Sequence, residues 1–119
     1  MKRILTLTFI LFISIIQAQV QTPQPSPSTT LDQVVGLTQF EIKYSRPSMN
    51  GRDIFGGLVP YDKIWRTGAN LNTTISFDDD ISFGNQEVKA GKYALYTKPD
   101  KQEWQIYLYD KTDNWGLPE

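Results

Sequence analysis

The sequence has neither cysteine nor histidine, and these two absences remove much of the chemistry open to a chain of this size. Without thiols there is no disulfide, no thiolate nucleophile and no attachment point for an N-terminal lipid. Without imidazole there is no serine–histidine pairing and no histidine-based zinc site. An excess of positive charge is also lacking: 12 Lys+Arg stand against 13 Asp+Glu, a formal net charge of −1. Phosphate-backbone binding needs a basic face, so nucleic acid is not an expected partner. Apolar runs are scarce as well, and the single long one lies at the N-terminus.

There, Lys2 and Arg3 precede an uncharged, largely apolar stretch from Ile4 to Ile16 that ends in Gln17-Ala18-Gln19. A stretch of about thirteen residues matches the apolar core of a signal peptide and falls short of the roughly 20 that a membrane-spanning helix requires. Residues 1–18 are therefore expected to be a signal peptide cleaved after Ala18, delivering the remainder to the periplasm or the exterior with no membrane span. Loss of Lys2 and Arg3 takes the net charge from −1 to −3. Residues 19–30 follow as a Pro/Ser/Thr-rich linker. Pro23, Pro25 and Pro27 alternate with polar residues there and favour an extended spacer.

From Leu31 onward the periodicity is two. Phe40, Ile42 and Tyr44 alternate with polar neighbours in a half-buried strand, which Pro47 and Asn50-Gly51 end. Ile54-Phe55 and Leu58-Val59 read as short apolar plugs between Gly56-Gly57 and Pro60. Lys63–Thr67 reads as a short strand, and Thr73–Phe77 and Ile81–Phe83 as two strands about the acidic corner Asp78–Asp80. Val88, Tyr93–Tyr96 and Glu103–Tyr109 continue at intervals typical of a sandwich. In the last of these, Tyr107 and Tyr109 are expected on the less buried side. No stretch after the signal sustains helical spacing without a nearby Gly or Pro. The expected fold is all-β, an antiparallel, jelly-roll-like β-sandwich over residues 31–119, packed through its three Trp and six Tyr. Asn114–Glu119 reads as a loop leading to another strand, which raises the expectation of a C-terminal truncation.

Three tracts together resemble one family: Tyr44-Ser45-Arg46-Pro47 with Gly51-Arg52 and Ile54-Phe55-Gly56; Trp65-Arg66-Thr67-Gly68-Ala69-Asn70 with Thr73-Thr74-Ile75; and Ala90–Thr97. In order and spacing they look like the bacterial exported domain of unknown function family 2911, over roughly residues 28–116. The resemblance implies a compact β-rich domain, usually secreted or periplasmic, that continues past Trp115-Gly116. Some members carry a further repeat domain. It implies no activity.

The candidate ligand-binding residues are Arg46, Arg52, Trp65, Arg66 and Asn70, all in turns or at strand ends. Arginine forks read carboxylate or phosphate groups bidentately, and loops at one end of a sandwich are a natural place for a ligand. The competing reading has Arg46 and Arg66 tie loops together by pairing with Asp53, Asp62 or backbone. Trp65, Trp104 and Trp115 with Tyr61, Tyr107 and Tyr109 suit either a sugar-stacking platform or core packing. Asp78–Asp80 lacks the ligand spacing of a calcium loop and reads as a solvated corner, so no metal, cofactor or catalytic residue is assigned. Asn72-Thr73-Thr74 matches a glycosylation acceptor, but Asn72 is expected to shape a turn. The leading expectation is a non-catalytic module that binds a saccharide, peptide or envelope partner. One alternative is a hydrolase or lyase acting on an extracellular polymer through carboxylate, Tyr, Lys or Arg groups. The other is a structural or assembly protein using an open strand edge.

Overall fold

The alternating residues around Ile42 lie in a five-stranded antiparallel sheet. The computed structural model describes residues 22–117, so the expected signal peptide lies outside the described residues. Strands β1 (Ser28–Val35), β2 (Thr38–Ser45), β3 (Thr74–Phe77), β6 (Gly91–Pro99) and β7 (Trp104–Tyr109) pair in the order β1-β2-β3-β6-β7. A separate hairpin, β4 (Ile81–Phe83) with β5 (Gln86–Val88), forms the second sheet. The fold is all-β and sandwich-like, and among the described residues no helix is long and apolar enough to cross a membrane.

Local chemistry explains the hairpins. Val35 pairs with Thr38 across Gly36-Leu37. Gly36 alone takes positive φ (65°), as a turn with glycine in its first central position requires, and it leaves Leu37 96% exposed. Period-two patterning then sets the faces. Leu31, Ile42, Ile75 and Tyr93 align across four strands, with Phe40 and Phe77 in the neighbouring row. The Phe77 ring stacks on Tyr93 at 5.5 Å and meets Phe40 at 5.7 Å. The opposite face carries Asp32, Glu41, Ser76 and Lys92 in register, and Lys43 pairs there with Glu41 at 3.0 Å.

β3 is shorter than its neighbours, so beyond Ala94 the flank of β6 is free to take other partners. Residues 46–73, which link β2 to β3, fill it. Leu95 N donates to Thr73 O (2.8 Å), while Trp65 and Thr97 exchange backbone bonds of 2.7 and 2.9 Å. The expected strand Lys63–Thr67 is thus a single bridge, Trp65 to Thr97. Most of the buried residues gather where this segment meets β6 and the adjoining ends of β2 and β3: Ser45, Val59, Asn72, Thr73, Thr74, Ala94, Tyr96, Thr97 and Pro99, with Phe77 at the far end of β3. In β7, burial changes along the strand rather than across it. Trp104 to Tyr107 are exposed on both faces and only Leu108 and Tyr109 are half-buried, because β7 is an edge strand.

Candidate functional site

The segment that follows β2 begins with a fixed bend. Arg46 N donates to Pro27 O at 2.9 Å, which holds the lead-in against the end of β2. Asn50 and Gly51 follow at positive φ (51° and 70°), and Arg52 N closes onto Met49 O at 3.1 Å. Residues 53–59 fold on themselves: Val59 N donates to Ile54 O (2.8 Å) and Gly56 N to Val59 O (2.9 Å). The chain then returns through the Trp65 bridge to Thr67. A threonine hydroxyl network holds that return in place. Thr73 Oγ1 donates to Thr67 O at 2.7 Å, and the Thr67 and Thr97 hydroxyls lie 2.9 Å apart. Thr67 has φ 57°, a left-handed conformation that is strained for a β-branched residue. Gly68 follows, where a Cβ would sit 2.9 Å from Thr73 Oγ1.

Between the two limbs of this segment lies a groove of about 720 Å³, within the size range of small-ligand sites. Arg46, Arg52, Trp65 and Arg66 all line it, together with Tyr44, Met49, Ile54, Leu58 and Val59. No aspartate or glutamate does. The structure therefore brings together four of the five residues singled out in the sequence. The fifth, Asn70, lies outside the lining and fastens the lead-in: its Nδ2 donates to Ser26 O at 3.0 Å and to Gln24 Oε1 at 3.2 Å.

The arginines differ in how they are held. Arg52 donates from Nε to Met49 O (3.0 Å) and from Nη2 to Ser48 O (2.8 Å). Those two bonds fix its plane and leave further guanidinium N–H groups to offer. Arg66 lies over the Trp115 ring at 5.8 Å, a cation–π contact. The ion pairs among the described residues are Lys43–Glu41, Lys89–Asp80 and Lys98–Asp62, and none involves an arginine. Asp62, one expected loop-tying partner, is instead 2.6 Å from Lys98. That hydrogen bond and charge hold its carboxyl below the usual aspartate range. Asp53, the other, accepts from Leu58 N through its backbone carbonyl.

The aromatic residues do not assemble a flat platform. Phe55 receives Trp65 and Trp104 edge-on, with centroids at 6.1 and 4.9 Å. Trp115 stands apart on Arg66 and is 70% exposed. Asn72, the glycosylation-pattern residue, is 6% exposed. Its amide atoms have no hydrogen-bonding partner, and the nearby buried Tyr96 in β6 donates its hydroxyl to Gly116 O at 3.2 Å. Burial pushes that hydroxyl above its ordinary range and the Asn72 amide acts in the opposite sense. Sequence reasoning missed the apolar half of the groove. Its signal was present in Met49, Ile54 and Leu58, apolar residues set in a glycine- and proline-punctuated stretch where solvent-facing positions are usually polar.

Fold and site together define a class: an antiparallel all-β domain bearing a basic, apolar-walled groove in the long segment between its second and third strands. The chain belongs to the family described as protein of unknown function (DUF2911), which matches residues 26–119. No curated protein and no solved structure matches.

Proposed function

We propose that this chain is an exported, non-catalytic binding module whose groove receives a ligand carrying a carboxylate or other anionic group, whether on a saccharide, a peptide or an envelope component. One observation carries this reading: Arg46, Arg52 and Arg66 line one groove with no acidic side chain among them. Guanidinium groups without a protein counter-ion are matched to planar anions, and hydrogen bonds to charged groups contribute more than neutral ones. With no histidine in the chain and arginine always charged, affinity should stay flat across the neutral pH range.

Titration calorimetry with a panel of organic acids tests the reading. Arg46→Ala and Arg66→Ala should each weaken binding by roughly tenfold or more, the loss of a charge-assisted hydrogen bond, and leave the melting temperature within a degree or two. Asn70→Ala should instead lower stability by about 1 kcal/mol through loss of its bond to Ser26 O. Arginine variants that bind normally, or that lose stability as Asn70→Ala does, would make these arginines scaffold.

A further inference from the structure

We infer that the ligand of this groove is an amphipathic acid, a single carboxylate head on an aliphatic or aromatic body, rather than a polyhydroxylated or inorganic anion; this rests on the acidic-ligand reading above. The groove has two chemically distinct linings. Arg46, Arg52 and Arg66 supply positive charge, and Tyr44, Met49, Ile54, Leu58, Val59 and Trp65 supply the wall. A sugar acid presents several hydroxyls, and each needs a partner when taken out of water. The side chains that usually provide those partners, Asn, Gln, Asp and Glu, are absent from the lining. Its hydroxyls are those of Ser26, Tyr44, Ser45, Ser48 and Thr67; Thr67 is committed to Thr97, and the buried Ser45 accepts from Asn70.

Part of the apolar wall is not spent on the fold, although Val59 belongs to the core. Met49 is 60% and Leu58 56% exposed, while the backbone around them is fixed by the bonds of Arg52 to Met49 O and of Leu58 N to Asp53 O. Apolar side chains held at the surface beside a groove mark a contact site, and here they adjoin the arginines. A methylene body laid on this wall would be removed from water while its carboxylate meets the guanidinium groups. Phosphate or acetate would gain only the second contribution. The same chemistry is carried by a free medium-chain acid and by the C-terminus of an apolar peptide.

Calorimetric titration of the exported chain with acetate, octanoate, octanol, glucuronate, phosphate and N-acetyl-trileucine, as free acid and as amide, separates the possibilities. Octanoate should bind about 200-fold more tightly than acetate, the ratio given by burial of about four methylenes. Octanol should bind at least about tenfold more weakly than octanoate, for want of a charged head. Leu58→Asp should abolish the chain-length dependence, and Arg46→Ala should reduce the acid–alcohol difference while the chain-length dependence persists. Trileucine acid binding more tightly than octanoate, with the amide weak, would identify a chain end as the source; the reverse order would identify a free acid. Glucuronate or phosphate binding as tightly as octanoate would overturn the amphipathic assignment and leave the anion site standing. Octanol binding as well as octanoate, or no binding by any acid, would overturn the anion site itself.

Discussion

Thr67 concentrates what holds the groove open. A β-branched residue at φ 57° carries a backbone cost on the order of 1–3 kcal/mol. Its hydroxyl, shared with Thr97, and its carbonyl, which accepts from Thr73, offset that cost in a partly buried setting. Thr67→Ala keeps the strain and loses the hydroxyl bond, so it should lower unfolding free energy by about 1–2 kcal/mol in urea titration. It should also weaken ligand binding, since Arg66 is the adjacent residue. An unchanged midpoint would show that the Thr67–Thr97 hydroxyl bond contributes nothing to stability. Which residues share the groove was partly legible at this scale. Arg46, Arg52 and Arg66 stood out because arginine forks in turns and at strand ends suit carboxylate or phosphate groups, and the structure places all three in one lining. Asn70 looked the same in sequence but serves as a fastener, because its partner Ser26 lies 44 positions away and no local pattern reveals so distant a bond.

At the scale of elements, the β4–β5 hairpin is tied to the sheet end by its acidic corner. Asp78 accepts from Gln39 N at 2.8 Å, Asp79 from Thr38 Oγ1 at 3.1 Å, and Asp80 from Ala90 N at 2.8 Å and Lys89 Nζ at 2.7 Å. The Lys89 hydrogen bond, then the Ala90 amide, hold the Asp80 carboxyl below the usual aspartate range, and Asp80 raises Lys89 above the usual lysine range. A depressed carboxyl contributes fully above its unfolded value and loses that contribution as pH falls through the folded one. A raised lysine contributes fully below its unfolded value and loses it as pH rises through the folded one. The Asp80–Lys89 contact is therefore strongest across the middle of the pH scale and weakens toward both ends. In an acid titration followed by NMR, the Ala90 amide should move with a midpoint below that of an ordinary aspartate, and Asp80→Asn should erase the transition. A midpoint at the ordinary value would contradict the contact. Alternation located the strands because side-chain period is local. It did not show that Thr74–Phe77 pairs with β2 and β6 rather than with Ile81–Phe83, since pairing depends on distant residues.

For the molecule as a whole, the buried hydrophobic residues are few: Val59, Phe77, Ala94 and Tyr96 among the described residues. With no disulfide available, packing carries the fold, and one of the four, Val59, belongs to the segment that forms the groove. Scaffold and site are thus built from the same residues, which is why the 46–73 segment is rich in hydrogen bonds despite having no regular strand. Family membership over residues 26–119 fits a domain in which this segment is part of the core and not an appended loop. The central claim is that the arginine-lined groove is where this domain meets its ligand, and NMR titration with octanoate tests it most directly. The account predicts saturable shifts at the Nε–H groups of Arg46, Arg52 and Arg66 and at the Trp65 indole, with the Ala90 amide at the far hairpin unmoved. Shifts confined to β1, β7 or the hairpin, with the groove signals unmoved, would contradict it.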